Sequence, residues 1–170
     1  MYLNEGGNGM SVVIMLCGKI CSGKSTYAEK IKKERNAVVL SCDDLMLSLF
    51  DEKLGDKHDC ILEKCKEYLY ELACQIAGAG TNVILDFGFW TRKERKSTVR
   101  LFHSKNIKTE IHYIKIDRES WLNQINKRNS DIKKGIVKGY YVDENMKNLF
   151  DKSFEEPDKD EIDVIIEHVF

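Results

Sequence analysis

The sequence has almost no excess of charge of either sign: 27 Lys and Arg against 28 Asp and Glu leave a net charge of −1. No global field therefore recruits nucleic acid or an anionic membrane, although local basic patches remain open. No apolar run approaches 18 residues and no stretch reads as a signal peptide, so the expectation is a cytoplasmic protein with reduced thiols. The six cysteines form no C-x-x-C pair and none stands beside histidine at zinc-finger spacing, which speaks against a structural zinc. Proline is nearly absent: Pro157, in "FEEPDKDE", is the single one and reads as the loop entering a last strand. Internal repeats and low-complexity segments are lacking too.

What is present is an ordinary globular composition, 42% apolar and 32% charged over 170 residues. That length suits one domain and buries roughly 70% of the unfolded surface. Residues 1–10, "MYLNEGGNGM", are Gly/Asn-rich and aperiodic and read as a flexible leader before a single domain over 11–170. Short β-branched runs at Ser11–Cys17, Ala37–Ser41, Asn82–Phe87, Glu110–Ile116 and Ile162–Phe170 alternate with longer amphipathic ones. The latter, at Lys24–Arg35, Asp43–Phe50, Asp59–Ala77, Arg92–Lys105 and Glu119–Asn129, predict helices. Strands separated by helices need crossover connections, so the expected fold is α/β, three-layered, with five mainly parallel strands and helices on both faces. Ser130–Lys152 has no strong period and many lysines, and is expected to form a short lid, about 129–150, or a solvated surface segment.

"GKICSGKST", Gly18 to Thr26, follows the apolar run "VVIMLC" and fits G-x-x-x-x-G-K-[ST], the phosphate-cradling loop. The match lies between a predicted strand and a predicted helix, the context that confirms it. Gly18 and Gly23 permit backbone turns that aim N–H groups, Cys21's among them, at phosphate, and the dipole of the helix starting near Lys24 adds positive charge. Lys24 is expected to bridge the β- and γ-phosphates of ATP, and Ser25 to ligate Mg²⁺. Ser22 and Thr26 can add hydroxyl contacts. "NVILD" ends an apolar strand in Asp86, the pattern of a second metal-shell carboxylate. "SCDDLM" places Asp43 and Asp44 past the second strand, where ligands bind in parallel α/β sheets. Asp43 is the candidate acceptor of a hydroxyl proton, with helix capping as the alternative role for either aspartate.

Two basic clusters can meet transition-state charge. "FGFWTRKERK" offers Arg92 and Arg95, and "NKRNSDIKKG" offers Lys127, Arg128, Lys133 and Lys134, with Arg128 as the candidate lid arginine. Phe89 and Trp90 either line an acceptor pocket or pack in the core, packing being the commoner role. Cys17 and Cys21 flank the first loop glycine.

Taken together, "GKICSGKST", "SCDD", "ILDFGFW" with its following "RKER", "KRN" and "LFDKSFEEPDKDE" resemble the P-loop kinases grouped with polynucleotide 5′-kinases, zeta toxins and chloramphenicol phosphotransferase. More narrowly, the chain is similar to a bacterial AAA-domain group of ATP-binding, kinase-like proteins. The resemblance runs from Val12 to the end, with "DFGFW…R" and the late "F-E-x-P" its most specific parts. It implies ATP as donor, Mg²⁺ as metal and a hydroxyl acceptor, with Asp43 as the family's acidic residue and Arg128 as its lid arginine. Polynucleotide kinases carry R-D-D-x-x-R here, whereas Cys42 precedes Asp43 and Met46 follows, which weakens the case for a nucleic-acid acceptor. The expected activity is phosphoryl transfer to a small-molecule hydroxyl by a monomer or homodimer, the alternatives being a polynucleotide 5′-hydroxyl kinase, a nucleotide switch and a binding-only module. A GTPase is disfavoured: the nearest string to N-K-x-D is "NKRN" at Asn126–Asn129, which ends in Asn and sits in a helical pattern.

Overall fold

Strand β1 (Val12–Cys17) is buried at every position, which only a central strand covered on both faces allows. In the computed structural model, which describes residues 11–50 and 54–167, it pairs in parallel with β3 (Asn82–Gly88) on one side and β4 (Lys108–Lys115) on the other. β2 (Ala37–Ser41) and β5 (Val164–Glu167) complete a sheet of order β2-β3-β1-β4-β5. Every pairing is parallel, so the expected five-stranded sheet is wholly rather than mainly so. The proposed leader, 1–10, lies outside the described residues, as do 168–170 of the last strand segment.

The alternation of β1 feeds two cores. Val13, Met15 and Cys17 face a cluster with α3 (His58–Gly78), whose Cys65, Leu69, Ala73 and Ala77 recur every fourth residue, and with Phe102 of α4 (Arg92–His103). Val12, Ile14 and Leu16 face Tyr27, Ala28 and Ile31 of α1 (Lys24–Glu34). Burying one such aliphatic side chain contributes about 1.5–3 kcal/mol. α3 ends where the glycines predict, with Gly80 in the left-handed region at φ 85°.

Two elements depart from the sequence expectation. α5 (Arg118–Lys133) runs four residues past Asn129, because the buried Asn129 amide donates to Val142 O at 2.7 Å and accepts from Val142 N at 3.0 Å. Glu144–Ser153 then forms a further helix, α6, capped by Asp143, which accepts from Met146 N at 2.8 Å.

Arg95, expected among the phosphate-facing cations, is instead 1% exposed and clamps the chain's last third to the sheet. Its guanidinium donates to the carbonyls of Phe89, Trp90 and Glu155 and, through Nε and Nη2, to both carboxylate oxygens of Glu161 at 3.2 and 3.1 Å. Arg92 pairs with Asp158 and Glu161. Although burial pushes the Glu161 carboxyl up, the Arg95 hydrogen bonds and charge override it and hold that group below its usual range. Arg95→Ala leaves the Glu161 carboxylate to Arg92 alone and takes a buried donor from three carbonyls, and is expected to cost about 3 kcal/mol of stability. Urea unfolding checks this; a loss below about 1 kcal/mol would contradict the clamp.

Candidate nucleotide and acceptor site

The loop between β1 and α1 is built on close approach. A Cβ at Gly18 would lie 2.8 Å from both Ile114 O and Ser22 Oγ, so any side chain there collides with backbone. Cys21 (φ 58°) and Gly23 (φ 97°) both adopt left-handed backbone, and alternation of this kind turns successive N–H groups into an anion-binding concavity. For Cys21, which has a Cβ, that conformation costs about 1–2 kcal/mol. Neighbouring elements hold it: Trp121 Nε1 donates to Ile20 O at 2.8 Å, and Lys19 pairs with Asp151 of α6 at 2.5 Å. Arg118 meets the same carboxylate at 2.5 Å, and Lys19 Nζ also lies 4.7 Å from the Trp121 ring centre.

Beside this loop opens a cleft of about 990 Å³. Lys24, Ser25 and Thr26 line it from α1, Asp43 from α2 (Cys42–Leu49), Asp86 from β3 and Arg128 from α5. The sequence candidates from four distant segments are thus gathered at one place. Lys24 Nζ donates to Lys19 O at 2.7 Å, which keeps the ammonium over the loop. Ser25 Oγ donates to Asp86 Oδ2 at 2.6 Å, bringing together the two oxygens proposed for the metal. Hard oxygen donors of this kind, few in number, suit Mg²⁺, which ordinarily takes one or two protein oxygens and completes its shell with phosphate and water. No group of three or more His, Cys, Asp or Glu among the described residues is arranged to hold an ion by itself. Arg128 Nη1 reaches within 3.8 Å of Cys21 Sγ, and its guanidinium fills the space over Gly139 that a Cβ would take.

Asp43 sits one residue inside α2. The capping role belongs to Ser41, whose side chain accepts from Asp44 N at 3.2 Å, so neither aspartate is needed as a cap. Asp43 is exposed to water at the cleft mouth, yet the protein around it partly desolvates its carboxyl. That partial desolvation, with the nearby Asp86 and Asp44 charges, raises its carboxyl above the ordinary value against the opposing Lys24 and Arg128.

The other candidates separate. The Ser22 hydroxyl is buried against Gly18, makes no hydrogen bond among the described residues and does not line the cleft. Lys127 lines the cleft, Lys133 stands over the Tyr141 ring at 4.9 Å and Lys134 closes α5. Phe89 is fully buried, whereas Trp90 lines the cleft with its ring edge-on to Phe150 at 5.1 Å. Counting R-D-D-x-x-R along α2 puts Leu47, not Met46, at the second arginine's place; Leu47 lines the cleft and Met46 is buried. All six cysteines are unpaired, and burial pushes the Cys17 thiol up to about 12, which leaves it a poor nucleophile. The sequence missed Lys66 and Glu94, joined at 2.7 Å on the far wall, because isolated charges on two helices carry no motif.

A family model described as AAA domain matches residues 13–152. The chain belongs to this AAA-domain family. Among solved structures, the AAA domain resembles a candidate kinase from Chloroflexus aurantiacus at TM-score 0.71, with 13% identity over 94% of this chain and 89% of that one. Mycobacterium tuberculosis APS kinase CysC, solved with AMPPNP and APS, gives 0.68, with 16% identity over 95% and 90%. A chain of the Pnkp1/Rnl/Hen1 RNA repair complex gives 0.68 at 18% identity, covering 89% of this chain but 46% of its own length. No curated protein matches. These likenesses establish a P-loop kinase-like fold for the AAA domain, as its motifs implied. No helix among the described residues is long and apolar enough to cross a membrane.

Proposed function

We propose that the protein is a kinase that moves the γ-phosphoryl group of ATP to a hydroxyl of a small molecule. The observation that carries this reading is the convergence of Lys24, Asp43, Arg128 and the hydrogen-bonded Ser25–Asp86 pair on one cleft. The loop backbone and the α1 N-terminus bind the phosphates, and Lys24 holds their charge as it shifts toward the leaving oxygen. Arg128 reaches the same region from α5 and screens the transferring group. Asp43, on the β2 side, orients the attacking hydroxyl and takes its proton; a carboxyl with a raised pKa suits that exchange. Bound at Ser25 and Asp86, Mg²⁺ would supply charge neutralisation for the phosphates.

The RNA-repair likeness favours a second reading, a polynucleotide 5′-hydroxyl kinase. Cys42 and Leu47 stand where arginines would hold nucleic-acid phosphates, so the small-molecule reading is preferred. The test is ADP release from MgATP with no acceptor, with a panel of hydroxylated metabolites, and with a 5′-hydroxyl oligonucleotide. Acceleration by a metabolite, with phosphate recovered on it, supports the proposal. Acceleration by the oligonucleotide alone replaces it with the second reading, and a fast rate needing no acceptor replaces it with a hydrolytic switch.

A further inference from the structure

The two ends of the phosphate loop are fixed by the sheet and by α1. Gly18 N donates to Gly88 O at 3.0 Å, which ties the start to β3, and Tyr27 N donates to Gly23 O at 2.9 Å, which opens α1. The arch between them, Lys19–Ile20–Cys21, rests on α5 and α6 instead. Ile20 and Cys21 pack against Trp121, Ile125 and Val142, a cluster apart from the two sheet cores. The Trp121 indole donates to Ile20 O at 2.8 Å.

The loop carries two lysines that point different ways. Lys24 lines the cleft, whereas Lys19 is not among the described residues that do. The Lys19 ammonium turns to Asp151 Oδ1 at 2.5 Å, with the rings of Trp121 and Phe154 centred 4.7 and 6.0 Å away. The carbonyl of the same residue accepts from Lys24 Nζ at 2.7 Å and from Ser22 N at 3.2 Å. Lys19 therefore joins a carboxylate of α6 to the carbonyl on which the phosphate-binding lysine rests.

Asp151 is poorly placed to serve α6 itself: it stands in the last turn, where the helix dipole disfavours a carboxylate. Fully exposed ion pairs contribute little, but the Lys19 and Asp151 side chains are only 21% and 26% exposed. Arg118 adds a second cation at 2.5 Å. The hydrogen bond from Lys19 holds the Asp151 carboxyl below its ordinary range, so the pair is charged at neutral pH.

We infer that Asp151 is a positioning residue for the nucleotide: by holding Lys19, it keeps the phosphate loop, with its left-handed Cys21, in the shape that receives ATP. This goes beyond the kinase reading and rests on its nucleotide half alone. A released arch spends part of its time in shapes that relax Cys21, and apparent affinity falls with the competent fraction. Bound phosphate orders the loop by itself, so the loss falls on ATP affinity and not on the rate at saturation.

The experiment titrates the 170-residue protein with MgATP by calorimetry and follows single-turnover ADP release at saturating MgATP. It compares the parent with Lys19→Met, Asp151→Asn and the double variant. Methionine keeps an apolar chain over Trp121 and asparagine keeps the shape of Asp151, so thermal unfolding is expected to move little. Each single variant is expected to bind MgATP roughly tenfold more weakly, within the range for members of one ion-pair network. The double variant is expected to lie within about twofold of the weaker single, and ADP release at saturation within about threefold of the parent. Unchanged affinity, or losses that multiply in the double variant, overturns the inference. Tighter binding by Asp151→Asn overturns it as well, because the freed Lys19 then serves phosphate directly. A rate at saturation that falls as far as the affinity also overturns it, since the pair then acts in the transferring step. If one single variant does not fold, the other decides by the same affinity criterion. A parent that binds no MgATP overturns the nucleotide reading along with the inference.

Discussion

Lys24→Ala is expected to abolish phosphoryl transfer and to weaken MgATP binding severely. Its ammonium lies 2.7 Å from Lys19 O, over a loop that already spends left-handed backbone on Cys21 to shape an anion site. Removing a preorganised cation from a transferring phosphoryl group costs about 10²–10³-fold in rate. The residue is half-buried and makes no ion pair among the described residues, so its truncation should leave thermal unfolding close to that of the parent. Calorimetric titration with MgATP and a steady-state ADP assay read the two effects separately. Unchanged values in both would remove the loop from the nucleotide site.

Asp43→Asn should give the complementary result: MgATP affinity retained, transfer reduced by about 10²–10⁴-fold, the range for a lost general base. The carboxyl must be ionised to take a proton, and partial desolvation in the cleft raises its pKa above the ordinary carboxylate value. Activity of the parent protein should therefore fall as pH drops through a midpoint above that usual range. The residual activity of Asp43→Asn should lack this acidic limb. A normal rate, or a limb that survives the substitution, would move the proton-accepting role elsewhere.

The parts of the molecule that rest on backbone chemistry could be read in advance. A fully apolar strand, a glycine-bearing loop and a helix opening on lysine placed β1, the loop and α1 almost to the residue, and "NVILD" put Asp86 beside Ser25. Side-chain-driven elements could not. α6 escaped because its pattern is inverted: Lys147 is buried, held by Glu144 at 2.6 Å and Asn126 at 3.3 Å, while Leu149 is 60% exposed. Asn129 looked like a helix end because a buried amide that bonds a distant backbone is indistinguishable in sequence from a solvated one. Arg95 misled for the same reason. An arginine in a helix after a strand-end aspartate suits a phosphate ligand and a buried clamp equally, and its partner Glu161 lies 66 residues away.

That clamp also explains why "DFGFW…R" and the late "F-E-x-P" occur together. Trp90 lines the cleft, and its carbonyl is held both by Arg95 and by Glu155 N at 2.9 Å. The two stretches are therefore a single structural unit despite their separation. In a chimera built from two family members, a crossover anywhere between residue 95 and residue 155 exchanges half of a mated pair. Functional recombinants should accordingly be those whose junctions leave both halves from one parent.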